Sequence, residues 1–253
     1  MGRGSSKAGG GGGGKMTQQQ LSNVPTNAQP LTDQEAADLR DEQDSMYDPS
    51  TAAAVKMYIS DTNFDNQGHS LSQTMNYLLD NGVDFRDTTY QAVNFAYGLN
   101  LNANDWASMQ YTNDYMAAAV HPIGKDIKLQ RGAHDDLLRN VFGINNYSGM
   151  TESQLQSALI GRAWTSDSYY SASYDISKNP FLGNGPASGG REVVYNINAG
   201  SNTKMLFGAK KQAEIVLDKN TNYKITGVRF TGKTATPRNR GAMPQIEIDV
   251  ETF

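Results

Sequence analysis

Apolar positions recur first at helical and then at strand spacing along this chain. Thr32 with Glu35 three residues on makes a capping box, in which each side chain satisfies an orphaned backbone N–H, and predicts a helix through about Ser45. Pro49, whose fixed φ suits a first turn, opens a second helix through Ala52–Ala54 to Ile59. Ser70 with Gln73 is another capping box. Leu71, Met75, Leu78 and Leu79 form one apolar stripe behind it, closed by Gly82. Asp87 is the expected cap of a helix carrying Tyr90, Val93 and Tyr97 up to Gly98. A last helix covers Trp106 to Val120, and His121-Pro122 stops it.

After residue 125 the period shortens. Ile127, Leu129 and Arg131 alternate with polar residues, as a strand does. A short helix is expected at 135–142. Thr151 with Gln154 caps another, with Leu155 and Leu159 on one face and Gly161 at its end. Strands are then expected at 169–175, 191–198, 203–207, 212–218, 223–230 and 245–251. The Gly-, Asn- and Pro-rich stretch 177–190 is long enough to be functional rather than a simple connection. Helices first and strands afterwards define an α+β domain, with helices on or beside an antiparallel sheet.

Composition narrows this picture. Residues 1–16 hold eight of the 25 glycines, and 17–30 are rich in Gln, Asn and Pro. Neither buries enough apolar surface to offset its ordering entropy, so 1–30 is expected to be a disordered tail. Gly9 to Lys15 imitates a phosphate loop, but Met16 stands where a Ser or Thr should hold magnesium, and no strand precedes it. Gly2 with Ser6 fits a myristoylation pattern, one that arises often by chance. The remainder, 31–253, reads as one domain: a helical lobe at 31–122 and a β-rich core at 123–253. A net charge of −4 and a pI near 5.4 argue against a nucleic-acid binder working through a basic face. The chain has no cysteine, which excludes disulfides and thiolate metal sites. His69, His121 and His134 have no metal-ligand spacing, so no metal is expected. No run approaches the roughly 20 apolar residues of a membrane span. The N-terminus lacks the apolar centre of a secretory signal, so export would need another route. Compartment and oligomeric state stay open.

Three short motifs follow in order in the β half. Ile127-Lys128-Leu129-Gln130-Arg131-Gly132 puts an Arg at the end of a strand with Gly next. Tyr169-Tyr170-Ser171-Ala172-Ser173-Tyr174 leads with aromatics into Ser-x-Ser. Gln212-Ala213-Glu214-Ile215-Val216-Leu217 is a Gln-x-Glu entering an apolar strand, with a turn at 218–221 and another strand after it. Each alone is ordinary: a surface Arg, exposed serines, a solvent-facing acid. Glu247, Asp249 and Glu251, alternating with Ile246, Ile248 and Val250, compete as carboxylates, but they read as the solvated face of a half-buried strand.

Together, the three motifs resemble the Arg–Ser–Glu mono-ADP-ribosyltransferases, which include C3-like and binary actin-modifying toxins and bacteriophage enzymes. Order, spacing and context match from about 125 to 230, and the preceding helices fit that group's N-terminal lobe. The resemblance implies a mostly antiparallel two-sheet β core beside the helices. It also implies NAD as substrate, a target protein as acceptor, and delivery by secretion or a phage route into a target cytoplasm.

The resemblance also assigns roles. Cleaving the nicotinamide–ribose bond develops positive charge on the sugar, which a fixed carboxylate stabilises. That carboxylate is Glu214. Arg131 is the guanidinium that grips the pyrophosphate, and Gly132 lets backbone approach the nicotinamide amide. Ser171 is expected to hydrogen-bond Glu214 and orient it. Gln212, two residues before Glu214 and on the same side of a strand, positions the nucleophile. Gln-x-Glu in place of Glu-x-Glu argues against an arginine acceptor and for Asn, Gln or Thr. Phe207 is the candidate contact with the protein substrate, with Lys210 and Lys211 adding to it. Phe181 is expected to stack on nicotinamide and Arg191 to touch a phosphate. Two alternatives remain at this point: an NAD glycohydrolase with water as acceptor, and a non-enzymatic virion or adaptor protein of the same fold. His134, close behind the Arg131 motif, has two readings, a pocket-lining residue or, preferred here, a surface helix start.

Overall fold

The computed structural model describes residues 28–60, 62–65, 67–178, 190–237 and 241–253. Phe181 and most of the stretch 177–190 lie outside these residues, as does nearly all of the expected tail. Five helices come first: α1 (Asp33–Ser45), α2 (Pro49–Tyr58), α3 (Leu71–Asp80), α4 (Tyr90–Tyr97) and α5 (Ala103–Ala119). The capping boxes at Thr32/Glu35, Ser70/Gln73 and Thr151/Gln154 all form. The cap of α4 differs from expectation. Thr89, not Asp87, accepts the Ala92 N–H, because the helix begins at Tyr90 and Asp87 stands two residues before the N-cap position. The short helix after the first long strand is confined to Asp136–Asn140, α6, and is followed by α7 (Glu152–Leu159).

Strands β1 (His121–Pro122), β2 (Ile127–Ala133), β3 (Ala163–Thr165), β4 (Tyr170–Ser173), β5 (Val193–Ala199), β6 (Lys204–Phe207), β7 (Glu214–Leu217), β8 (Asn222–Ala235) and β9 (Met243–Thr252) join in the order β1-β6-β7-β4-β2-β5-β9-β8-β3. All neighbours are antiparallel except β5 and β9. The hydrogen-bonded ladder is continuous, yet it is nearly two sheets. The block β1-β6-β7-β4 meets the block β2-β5-β9-β8-β3 through a single pair, Gln130↔Ser173. Beyond that pair β2 and β4 share no backbone pairing, and a gap opens between their facing edges.

Two cores flank this arrangement. One gathers Ile127, Leu129, Ile197, Ile215, Leu217, Ile248 and their neighbours with α7 residues Leu155 and Leu159. The other joins α2–α5, through Val55, Leu78, Val93, Trp106 and Met116, to Tyr169, Leu206 and Val216 of the first block. Strands β6 and β7 therefore bury both faces, which is why Ile215-Val216-Leu217 reads as an unbroken apolar run. At the far end, Arg229 on β8 pairs across the ladder with Glu247 and Asp249. Those acids sit away from the gap.

The Thr151 cap gives a stability prediction. Its hydroxyl accepts the Gln154 N–H while Gln154 returns a bond to the Thr151 N–H. Thr151→Ala is expected to cost about 1 kcal/mol, lowering the calorimetric midpoint by roughly 2–4 °C for a chain of this size. An unchanged midpoint would show the cap to be idle.

Candidate active site

The gap between the two blocks is the mouth of a cleft of about 550 Å³. Arg131, Gly132 and His134 reach it from β2 and the residues after it, and Ser171 and Ser173 from β4. Arg191 comes from the lead-in to β5, and Gln212 and Glu214 from the turn before β7. Residues about 40 apart in sequence thus converge because the strands that carry them are neighbours in space, not in order. Ala172, between the two serines, also lines the cleft and packs into the core behind it.

Arg131 bridges the gap at its start. Its Nη1 donates to the Ser171 carbonyl at 2.6 Å, taking the place of the backbone bond that β2 and β4 no longer make there. The guanidinium stacks on Tyr170, 4.1 Å from the ring centre. Its Nε is buried and lacks a partner among the described residues. Arg191 stands in the same cleft, half-buried, its Nη1 against Nε2 of His134. Burial and the nearby Arg131 charge push the Arg191 guanidinium below its usual range. Two guanidiniums in one partly dry cleft repel each other, and an anion with two charges would relieve that strain.

His134 is a cleft residue, not a surface helix start. Its Nδ1 lies 2.9 Å from Oε2 of Glu192, a carboxylate with no exposed surface. Glu192 Oε1 also accepts the Asp135 N–H. The pair fixes the imidazole ring so that Nε2 faces Arg191. The sequence set His134 close behind the Arg131 motif but did not show its pairing with Glu192, which is 58 residues away.

Glu214 begins β7. Its Oε2 accepts the Ala209 N–H at 2.8 Å. Among the described residues no hydrogen bond joins Ser171 to Glu214; the backbone turn, not the serine hydroxyl, orients the acid. Gly208 makes this geometry possible, since a Cβ there would collide with the Glu214 carboxylate. Gln212 also departs from expectation. It closes a 3-10 turn at Lys210–Gln212, and Ala213 follows with a left-handed φ of 48°. The strand starts only at Glu214, so Gln212 and Glu214 share the cleft through a turn rather than through strand alternation. Ser173, 4% exposed, anchors that turn: its hydroxyl lies within bonding distance of the Gln212 and Asp175 carbonyls.

Phe207 is the clearest correction. It is 3% exposed, packed edge-on against Tyr174 and under Arg40. Because β6 buries both faces, Phe207 lies in the core and offers no surface to a protein substrate.

Other cleft residues carried no signal of their own. Gln73, Asn76 and Asp80 fall at i, i+3 and i+7 on one face of α3 and line the wall. Asn76 Nδ2 donates to the Tyr169 carbonyl, pinning the entry to β4. Trp164 stacks on Tyr223 and, with Tyr170 and Tyr195, makes an aromatic floor. Tyr195, 1% exposed, has a hydroxyl without a partner among the described residues. Among those residues no cluster of three or more His, Asp or Glu is placed to hold a metal, and no helix is long and apolar enough to cross a membrane.

An arginine pair, a fixed acid and an aromatic floor surround one cleft. The family model for the ADP-ribosyltransferase exoenzyme matches residues 100–250, and the chain belongs to that family. It is an NAD-dependent mono-ADP-ribosyltransferase: NAD is its substrate and a target protein the acceptor. Solved structures of similar fold include a C3-type ADP-ribosyltransferase from Clostridium botulinum, at 18% identity over 88% of this chain and 100% of that one, TM-score 0.51. C3stau2 from S. aureus with NAD is 16% identical over 90% and 99%, TM-score 0.55. The toxin Plx2a from Paenibacillus larvae is 12% identical over 87% and 96%, TM-score 0.54. No curated protein sequence matches the chain.

Proposed function

We propose that Glu214 is the catalytic carboxylate and that Arg131 and Arg191 hold the NAD pyrophosphate. Gln212 then presents an acceptor side chain that is not arginine. The observation that carries this is the meeting of all four side chains in one cleft of about 550 Å³, a size suited to a dinucleotide. In the reaction the bond between ribose C1′ and the nicotinamide nitrogen breaks, and its electron pair leaves on the nicotinamide. The acceptor nitrogen or oxygen then bonds to C1′ and gives up a proton. Positive charge on the ribose peaks between these events, and Glu214 is held where it can oppose it. Gly132 lets the nicotinamide end approach the β2 backbone, and Ser171 contributes a hydroxyl to the wall facing the ribose. Phe181, outside the described residues, remains the candidate partner of the nicotinamide ring.

Gln212 decides between transfer and hydrolysis. Its side-chain amide can hydrogen-bond a neutral Asn, Gln or Thr acceptor, whereas a carboxylate there would instead attract a guanidinium. Gln212→Ala is expected to reduce labelling of protein in a lysate by roughly 10²-fold while leaving NAD hydrolysis within about 3-fold. Radiolabelled NAD with and without lysate measures both. Equal loss of both activities would place Gln212 in NAD cleavage itself, and loss of neither would remove it from the site. The toxin relatives support action inside a target cell, with the domain at 31–253 as the working unit.

A further inference from the structure

We infer that Arg40, on α1 and outside the segment shared with the family model, is a positioning residue for the catalytic carboxylate; this rests on the assignment of Glu214 above. The path runs through one peptide plane. Arg40 Nη1 donates to the Gly208 carbonyl at 2.7 Å. The N–H on the other end of that same peptide unit belongs to Ala209 and donates to Glu214 Oε2 at 2.8 Å. Carbonyl and N–H of a trans peptide point in opposite directions, so the plane is pinned from both sides. Turning it enough to release Glu214 would break the Arg40 bond as well. A cationic donor on the carbonyl also polarises the amide and strengthens its N–H as a donor.

The surroundings show why this plane needs holding. Strand β1 covers the outer edge of β6 only at Lys204 and Met205. Past that point α1 side chains take the place of a missing strand. Gln43, 3% exposed, donates to the Met205 carbonyl at 2.7 Å and accepts the Phe207 N–H at 2.9 Å. Arg40, one helical turn before it, continues the series onto Gly208. Its guanidinium lies over the Phe207 ring, 5.2 Å from the centre, half withdrawn from water. Its Nη2 is buried with no partner among the described residues. An apolar side chain could hold the helix to the sheet without that desolvation. What only a donor can do is fix the Gly208 carbonyl. The absence of a side chain at Gly208 completes the device, because the carboxylate lies in the space a Cβ would fill.

The test is steady-state NAD cleavage by the full chain carrying Arg40→Met, Arg40→Lys, Arg40→Gln, Gly208→Ala, the double change Arg40→Met/Gly208→Ala, and Glu214→Gln. Positioning predicts that Arg40→Met lowers kcat about 10- to 100-fold, the usual result of a misplaced catalytic group, while KM for NAD stays within about 2-fold. Arg40→Lys keeps one donor within reach of the carbonyl and is expected to recover part of that loss. Gly208→Ala displaces the same carboxylate, so the double variant should lose no more than the worse single one. Should Arg40→Met fail to fold, as read by near-UV circular dichroism, Arg40→Gln, whose shorter side chain does not reach the carbonyl, decides: a kcat below wild type at an unchanged melting midpoint supports the inference, and full kcat overturns it. A folded Arg40→Met with wild-type kcat, or losses that simply add in the double variant, also overturns it. If Glu214→Gln abolishes turnover while the Arg40 variants keep theirs, only the positioning role falls. If Glu214→Gln retains turnover, the catalytic assignment falls first.

Discussion

Glu214→Gln is expected to lower kcat for NAD cleavage by about 10³-fold, roughly 4 kcal/mol of transition-state stabilisation, with KM for NAD within about 3-fold. The substitution changes charge and little else. Glutamine has the same shape, and its side-chain oxygen can still accept the Ala209 N–H that now holds the acid. Gly208 leaves the same room for it. No ion pair to Glu214 is lost among the described residues, so the melting midpoint should hold. Positive charge on the ribose exists only as the glycosidic bond breaks, so a group that opposes it acts on kcat and not on binding. Single-turnover NAD consumption followed by release of nicotinamide measures this directly. Turnover within about 5-fold of wild type would mean that another acid does the work.

Arg131→Lys should act the other way, raising KM or Kd for NAD by about 10- to 100-fold with a smaller change in kcat. The arginine does three things at once. It bonds the Ser171 carbonyl across the gap between β2 and β4, stacks on Tyr170, and leaves Nε without a partner among the described residues. A lysine ammonium is a point charge on a flexible stem; it can bond the carbonyl or a phosphate, and it has no plane to stack. The lost stacking and the looser bridge are expected to cost about 1 kcal/mol of stability as well. Calorimetric titration with NAD separates affinity from chemistry. A Kd within about 2-fold of wild type would remove Arg131 from the phosphate site. Arg191 shares the task in this reading, and its His134–Glu192 support explains why one changed guanidinium weakens binding without abolishing it.

Much of the fold was legible because it rests on local rules. Capping boxes at Thr32, Ser70 and Thr151 satisfy orphaned N–H groups with side chains three residues away, and all three form. The long strands followed from alternation or from unbroken apolar runs. The cap of α4 was misplaced by two residues because Asp87 and Thr89 are both good caps, and only the helix register chooses between them. The three-residue strand β3 was missed because a stretch that short has no period of its own; its pairing with β8 defines it.

Arg131, Ser171 and Glu214 were nominated by three short motifs, and the structure gathers all three at one cleft. The roles of their neighbours were harder to see. Phe207 looked like an exposed aromatic before the Gln-x-Glu, yet β6 is covered on both faces, by the sheet core on one and the helices on the other. Gln212 looked like a strand residue, but a left-handed Ala213 breaks the strand and turns it by a different route into the cleft.

Taken alone, the amino-acid sequence determined most of the helices and long strands, that the class is α+β, and which three residues to look for in one place. Those properties depend on periodicity and on partners a few residues apart. The tertiary structure alone decided that β2 and β4 pair at one point and then part. It decided too that Glu192 lies under His134 and that Arg40 reaches the peptide behind Glu214. Each of these joins residues 40 to 168 positions apart, and such pairings follow from how sheet and helices close on one another, which no local pattern encodes.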